Sequence, residues 1–158
     1  MGERVPMTPE GYKNLKDELK RLKQDERPKV IEAIEVARAH GDLSENAEYD
    51  AAKEAQAHLD ARMKEIEDHL GRAQVIDPKE LSGDRVVFGA TVAIFDFTRD
   101  KDLTYQLVGE DEADLSKGRI SILSPLGRAL VGKKKGDFFV FHSPAGEREL
   151  EIKEIKFK

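Results

Sequence analysis

The chain has 158 residues, with 27 Lys and Arg against 32 Asp and Glu, a formal net charge of −5 and 39% hydrophobic residues. This composition is typical of a soluble globular protein. We expect neither a membrane span nor a secretory leader, because no long apolar run occurs. The lack of Cys excludes disulfides, thiol nucleophiles and Cys-ligated metal sites, and it favours a cytoplasmic location.

Gly, Pro and Phe are distributed unevenly, and this divides the chain into two parts. Residues 12–70 contain one Gly and one Pro, whereas residues 71–158 contain nine Gly and three Pro. All seven Phe lie at position 88 or later. We therefore predict two domains, a helical one over residues 1–77 and a strand-rich one over residues 78–158.

The first domain is predicted to begin with a long helix. Thr8 and Pro9 form a cap followed by proline at the first helical position, which is a common helix start. Pro28 should bend this helix without ending it. An apolar stripe at helical spacing extends along the sequence before and after Pro28. Its members are Leu15, Leu19, Leu22, Val30, Ile31, Ile34 and Ala37.

A second helix is predicted after a break at Gly41 and Asp42, with Ser44 or Asn46 as its cap. Its apolar residues recur at heptad spacing: Leu59, Met63, Ile66, Leu70 and Ala73. Because the connection is short, the two helices must form an antiparallel coiled-coil hairpin, about 45 Å long at 1.5 Å per residue. Such a hairpin either extends a functional tip or serves only to stiffen or dimerise the protein.

The second domain is predicted to be α+β, a small sheet with one short helix. Strands are indicated at 85–95, with a bend at Gly89, and at 103–108, 120–122, 138–141 and 150–155. The run 138–141 looks fully buried, residues 143–146 form a hairpin turn, and the last strand has one wet face. Ser124 and Pro125 start a helix over residues 126–131 that Gly132 ends.

Motif searches exclude several enzyme classes. The four His show no zinc-ligand spacing, and the chain has no phosphate-binding loop, no dinucleotide-binding turn and no hydrolase nucleophile elbow. A run of three Lys at 133–135 is either a solvated turn or a contact for phosphate or acidic protein.

Acidic residues are concentrated at the predicted tip of the hairpin. Asp42 and Glu45 stand three residues apart, so both carboxylates can project beyond the rod. Mg²⁺ prefers carboxylate oxygens as ligands, and it usually keeps water or substrate phosphates as its remaining ligands. A projecting pair can therefore contribute to a metal site completed by another molecule. Alternatively, Asp42 favours the turn and Glu45 complements the helix dipole. Arg38 and Lys53 lie near the tip with equally open roles.

Several segments, in register along the whole chain, resemble the Gre family of bacterial transcript cleavage factors. The tip segment 38–49, with the sequence RAHGDLSENAEY, carries the resemblance most strongly. The remaining matching segments are residues 7–8, 15–22, 73–77, 88–92, 109–114 and 124–133.

This resemblance implies a coiled coil that enters the secondary channel of RNA polymerase and an FKBP-like antiparallel sheet domain that docks at the channel rim. Asp42 and Glu45 match the tip acids that stimulate cleavage of the extruded 3′ end of backtracked RNA by the polymerase itself. The protein by itself would then not be an enzyme. It would bind no cofactor stably, and its tip acids would share Mg²⁺ with the polymerase active site.

Further contacts follow from the same resemblance. Arg38 and Lys53 match basic positions that contact RNA or the channel, and Ser124 and Pro125 match a polymerase-docking region, although both also suit helix capping. Glu48 is a third acid within seven residues of Asp42, and the sequence leaves open whether it assists the metal, although the spacing favours Asp42 and Glu45. We expect a monomer whose partners are RNA polymerase and the nascent RNA 3′ end, with no membrane contact.

Three alternatives remain open from the sequence. One is a non-catalytic regulator of the same polymerase channel, which retention of both Asp42 and Glu45 disfavours. Another is a prolyl isomerase or peptide-binding chaperone, for which a chain with no Trp and three Tyr offers a poor aromatic floor. The last is a purely structural coiled-coil dimer.

Overall fold

A computed structural model describes residues 3–39 and 47–158 of the chain. These residues divide into two compact units. The helical unit is Lys13–Arg72, and the sheet unit combines the residues before Lys13 with Ala73–Lys158. The N-terminal residues belong to the sheet unit because strand β1 (Val5–Met7) pairs in parallel with β2 (Ala73–Val75).

The first arm of the hairpin is helical from residue 9 to residue 39. It consists of α1 (Pro9–Arg21), a π-helical segment (Leu22–Glu26) and α2 (Arg27–Ala39). Pro28 explains the π segment, because a proline ring within a helix clashes with the carbonyl four residues earlier and offers no N–H to it. That carbonyl belongs to Gln24, inside the π segment. The prediction that the helix continues through Pro28 is confirmed.

The second arm is α3 (Ala47–Gly71), and it runs antiparallel to the first. Contacts between the arms show that they are antiparallel. As the residue number rises along the first arm, the number of the contacting residue on α3 falls. Lys23 pairs with Glu67 at 3.4 Å, whereas Arg38 lies over the Tyr49 ring, 6.0 Å from its centroid. The predicted caps Ser44 and Asn46 lie outside the described residues.

The hairpin buries a narrow apolar stripe, as the spacing predicted. Its buried members are Leu15, Leu22, Ile34, Ala37, Ala52, Met63 and Ile66. Two predicted members differ. Ile31 is 43% exposed, because one partner helix can cover only one side of α2, and Ala73 lies in strand β2 and not in the second helix.

A bidentate ion pair supports the same packing. The Arg62 guanidinium donates from Nε and Nη2 to the two carboxylate oxygens of Glu18, at 2.8 and 3.0 Å. Both side chains are about one-third exposed. Parallel bonds of this kind fix the rotation of one arm about the other more strictly than apolar packing does.

The sheet unit is built on five strands in the order β5-β4-β3-β7-β6. They are β3 (Thr91–Asp96), β4 (Lys101–Val108), β5 (Arg119–Ser121), β6 (Phe138–Ser143) and β7 (Gly146–Lys156). Three neighbouring pairs are antiparallel, and β4 with β5 is parallel. The α+β class is confirmed, and the sheet is mixed where the prediction was antiparallel throughout.

The core of this unit lies between the inner face of the sheet and a short helix, α4 (Pro125–Leu130). Fully buried residues come from β3, β4 and β7, and Leu130 adds the contribution of the helix. The predicted strand 85–95 begins only at Thr91, because Gly89 adopts a positive φ of 86° that turns the chain before the strand. Val86 is nonetheless fully buried.

Strands β6 and β7 form the predicted hairpin. Ser143 pairs with Gly146 across the two-residue connection, and β7 buries Leu150 and Ile152 while its other face is wet. The prediction of a fully buried run at 138–141 is wrong. Phe141 is buried but Phe138 is 55% exposed, because β6 lies at the edge of the sheet and covers the core with one face only.

Candidate functional site

The two predicted tip acids, Asp42 and Glu45, lie outside the described residues, and the described site consists of what flanks them. On one side α2 ends at Ala39, and on the other α3 begins at Ala47. The segment 40–46 therefore connects α2 to α3 along the chain, and the projecting tip stays a prediction.

Basic side chains flank this end of the hairpin on both arms. Arg38, in the last turn of α2, is exposed and stacks its guanidinium over the ring of Tyr49. A cation over an aromatic face is favourable by about 0.5–1 kcal/mol at an exposed site. This contact joins the end of α2 to the first turn of α3, and Arg38 presents a positive charge there.

Lys53 lies further along α3 and is also exposed. Its Nζ donates to Oε1 of Gln56 at 3.0 Å, one turn along the same helix. An ammonium on a flexible stem that bonds a neutral amide remains available to a phosphate. Lys53 is therefore a candidate contact for nucleic acid, and it makes no contact with the described residues of the other arm of the kind that Arg38 makes with Tyr49.

The first turn of α3 carries the acids Glu48 and Asp50, both exposed. Carboxylates there complement the positive end of the helix dipole, which stabilises the start of α3. This arrangement accounts for part of the acidic character of the tip without any metal. It does not involve Asp42 or Glu45, which precede the helix.

Ser124 and Pro125 form the start of α4, as predicted. The Ser124 hydroxyl accepts from the Gly127 N–H at 3.1 Å and donates to the Ser121 carbonyl at 2.6 Å. Pro125 occupies the first helical position and is exposed. Capping thus accounts for Ser124, and Pro125 suits the first helical position, where its missing N–H loses no hydrogen bond.

Exposed apolar side chains flank α4 along the chain, and the sequence did not single them out. Leu123, two residues before the helix, is 54% exposed, and Val131, immediately after it, is 41% exposed. Arg128 is exposed on the helix between them. Exposed apolar residues at both ends of a short helix make it a candidate for a protein contact. We name Leu123, Pro125 and Val131 the α4 patch.

Glu112 is a second residue whose role was missed. Its side chain, only 3% exposed, accepts from the backbone N–H groups of Thr8 at 3.0 Å and Gly109 at 3.1 Å. It also accepts from the Thr8 hydroxyl and pairs with Arg119 at 3.4 Å. Glu112 therefore anchors the N-terminal residues to the sheet unit. Its only sequence signal was the acidic segment 109–114.

A cavity in the sheet unit does not resemble a proline-binding pocket. It measures about 510 Å³ and is lined by polar and charged side chains that include Thr91, Gln106, Lys117 and Arg119. None of its described lining residues is aromatic. A prolyl isomerase site needs an apolar floor for the ring, so the cavity gives no support to that alternative.

Comparison with known proteins identifies the class of the chain. The family description "Transcription elongation factor, N-terminal" matches residues 5–75, and "Transcription elongation factor, GreA/GreB, C-term" matches residues 81–157. Together they cover both parts of the chain, so the chain belongs to the GreA/GreB family of transcription elongation factors.

Relatives within this family are similar over nearly the whole length. The transcription elongation factor GreA of Brucella anthropi is 55% identical over 155 residues, covering 98% of this chain and 99% of the relative. GreA of Anaeromyxobacter sp. (strain K) is 54% identical over 155 residues, covering 98% and 93%. The chain is therefore similar to proteins of the GreA type over nearly its whole length.

Solved structures of the family also align. GreA factor homolog 1 of Thermus thermophilus is 30% identical, with a TM-score of 0.41, covering 97% of this chain and 99% of that one. GreA/GreB from Nitrosomonas europaea is 23% identical, with a TM-score of 0.42, covering 98% and 100%.

Among the described residues, no helix is both long and apolar enough to cross a membrane.

Proposed function

We propose that this protein binds RNA polymerase, inserts its coiled coil into the secondary channel and stimulates cleavage of the 3′ end of backtracked RNA, which releases arrested complexes. The observation that carries the proposal is the family match over residues 5–75 and 81–157. Near-complete coverage by relatives named GreA supports the same reading. The place of action is the cytoplasm, where bacterial transcription occurs.

The shape of the helical unit suits insertion into a channel. Helix α3 has 25 residues, which corresponds to about 37 Å at 1.5 Å per residue. Most of its surface is exposed, and the arms are held by a narrow stripe and by ion pairs such as Arg62 with Glu18. A thin antiparallel pair of this kind buries little and extends far, which is the property needed to carry a few residues into a narrow passage.

The cleavage chemistry would belong to the polymerase, with this chain supplying ligands. Carboxylate oxygens are the donors that Mg²⁺ prefers, and Asp42 and Glu45 can provide them. Two carboxylates alone are few ligands for this ion, so Asp42 and Glu45 would help to hold it and would not bind it by themselves. A shared Mg²⁺ would supply activation of water and stabilisation of the leaving oxygen.

The flanking cations have a separate role in this proposal. Exposed Lys53 and the guanidinium of Arg38, held over Tyr49, provide positive charge beside the tip acids. Extruded RNA brings phosphates that these cations can neutralise. Their loss should weaken engagement of the RNA, whereas loss of Asp42 or Glu45 should weaken the chemical step.

The test is a 3′-truncation assay with backtracked elongation complexes that carry 5′-labelled RNA. Wild type should release short 3′ fragments, and Asp42→Asn and Glu45→Gln should lose most of this stimulation. Asp50→Asn is the matched control, since it removes an exposed acid only a few residues away and should cleave normally. The protein alone should cleave no RNA.

Polymerase binding, measured in parallel by competition with labelled wild type, separates the possible outcomes. Retained binding without cleavage by the two tip variants supports the assignment. If wild type binds but stimulates no cleavage, the protein is a non-catalytic regulator of the channel. If it does not bind polymerase at all, the proposed function is wrong.

Docking is proposed to use the α4 patch. Pro125→Ser and Leu123→Ser remove exposed apolar surface without touching the core, so they should lower polymerase affinity. Leu123→Ser should leave the melting temperature unchanged, whereas Pro125→Ser also loses the fixed φ of the first helical position and should lower it slightly. Ser124→Ala should instead lower stability by about 0.5–2 kcal/mol, as loss of a helix cap does. Unchanged affinity in both apolar variants would exclude the α4 patch as the docking surface.

A further inference from the structure

Strand β6 is an open edge of the sheet. In the described sheet it pairs only with β7, so half of its backbone N–H and C=O groups face away from any strand. Natural proteins usually protect such an edge, because it can pair with another chain. The edge here extends over the six residues Phe138–Ser143, long enough to accept an added strand.

Exposed apolar side chains cover the outer face of the sheet beside this edge. Phe97 is 45% exposed, Phe138 is 55% exposed and Val140 is 40% exposed. The rings form a continuous series, with centroids 4.7 Å apart between Phe95 and Phe97 and 5.7 Å apart between Phe97 and Phe138. We name these four residues the aromatic edge patch. Contiguous exposed apolar surface of this kind marks a binding surface more often than scattered residues do.

Carboxylates lie on the same face, directly beside the patch. The β6–β7 register sets Glu151 opposite Phe138 and Glu149 opposite Val140, and side chains directly opposite share a face. Lys153 pairs with Glu151 at 2.9 Å, but the described residues provide no ion-pair partner for the Glu149 carboxylate. The patch is therefore apolar with a negative border.

We propose that β6 and the aromatic edge patch bind an extended segment of a partner protein in which apolar and basic residues follow one another at every second position. Successive side chains of a strand point to opposite faces, so these residues would all lie on one face of the strand added to β6. There the apolar side chains would pack on Phe138 and Val140, and the basic side chains would reach across β6 to Glu149. Main-chain bonds supply affinity in such strand addition, and side chains on alternate positions supply specificity. A second copy of this chain is disfavoured, because pairing would bring two negative borders together.

The probe for this proposal is a short peptide with valine and lysine in turn at every second position and threonine between them, acetylated and amidated, added to the full ¹⁵N-labelled chain. Amide signals of residues 138–143 should shift, and their hydrogen exchange should slow. Two matched peptides test the mode of binding. Glutamate in place of lysine should abolish binding, and N-methylation of alternate amides should abolish it by blocking the main-chain bonds.

Variants locate the binding surface. Val140→Lys should weaken peptide binding about tenfold, the effect of losing one buried aliphatic contact. Glu149→Lys should weaken it about two- to fivefold, in line with an exposed ion pair. Glu35→Lys, an exposed charge reversal on α2, is the control and should change nothing. All three positions are exposed, so folding should be unaffected, which far-ultraviolet circular dichroism checks.

Three results would overturn the proposal. One is the absence of shifts at 138–143 at millimolar peptide, and another is equal binding of the N-methylated peptide. The third is concentration-dependent dimerisation in sedimentation equilibrium that Val140→Lys abolishes, since this would assign the edge to a second copy of the chain.

Discussion

The buried ion pair of the sheet unit allows the sharpest stability prediction. Asp96, at the end of β3, is fully buried, and its Oδ2 accepts from Nε of Arg148 at 2.9 Å. Its Oδ1 accepts from the Arg99 N–H at 3.1 Å. The Arg148 side chain is only 12% exposed. Asp96→Ala would therefore leave a buried guanidinium without its counter-ion.

The expected cost follows from that isolation. Removing one partner of a buried pair costs about 3–5 kcal/mol, because the remaining charge is desolvated and uncompensated. The total free energy of unfolding of a natural domain is about 5–15 kcal/mol. Asp96→Ala should therefore remove a large fraction of the stability of the sheet unit. Replacing both partners, as Asp96→Leu with Arg148→Met, should recover most of the loss, since no buried charge remains.

The assay is urea unfolding followed by amide signals of β3 and β7, which report on the sheet unit separately from the helical unit. Signals of α2 and α3 provide the internal control, and their midpoint should not move in Asp96→Ala. A loss below about 1 kcal/mol, the value for an exposed pair, would refute the reasoning. So would a double variant no more stable than Asp96→Ala.

The same group gives a pH dependence with a defined sign. Burial opposes ionisation of Asp96, but hydrogen bonds from the Arg99 N–H, from Arg148 and from the Thr98 N–H outweigh it and lower the pKa. A lowered folded-state pKa contributes stability above the unfolded pKa, about 4 for Asp. That contribution disappears as the pH falls through the folded pKa. Wild type should lose stability more steeply than Asp96→Asn below about pH 4.

Three further substitutions test the packing and polar contacts described above. Gly127→Ala should destabilise the sheet unit by about 1–3 kcal/mol, visible in urea unfolding, because a Cβ there would overlap the Ser121 carbonyl oxygen; an unchanged midpoint would contradict this. Arg62→Gln should cost less than about 1 kcal/mol, since its pair with Glu18 is partly exposed; amide exchange along α3 measures this loss. Glu112→Ala should accelerate amide exchange in β1 by leaving buried N–H groups unsatisfied, whereas unaltered exchange would deny its anchoring role.

The helical unit was the more predictable part, because period and proline chemistry act locally. Leu22 and Met63 were placed on a buried stripe by spacing alone, and both are buried. Ile31 fits the same period and is exposed. The number of partner helices decides how wide a stripe is covered, and one hairpin provides only one partner. Composition cannot reveal that number.

The sheet was predictable in its elements and less so in its pairing. The hairpin turn between β6 and β7 and the cap at Ser124 followed from local turn and helix-start chemistry. The edge position of β6 did not, since a run of aromatic residues reads the same at an edge as in the centre. Asp96 gave no sequence signal either, because its partner Arg148 is 52 residues away.

The candidate site shows the same division. Ser124 and Pro125 were predicted from the local pattern of a helix start. Leu123 and Val131, which flank the same helix along the chain, could be recognised only from their exposed fractions in the structure. The roles of Asp42 and Glu45 rest on resemblance and family membership, since these residues lie outside the described part of the chain. No periodicity distinguishes a metal-binding acid from one that caps a turn.

The most direct test of the central claim is a Mg²⁺ titration of RNA cleavage in backtracked complexes at saturating factor. If Asp42 and Glu45 supply ligands to a shared ion, Asp42→Asn and Glu45→Gln should each raise the Mg²⁺ concentration for half-maximal cleavage by about tenfold or more. Asp50→Asn should match wild type. Cleavage by both tip variants at the wild-type rate under subsaturating Mg²⁺ would contradict the account.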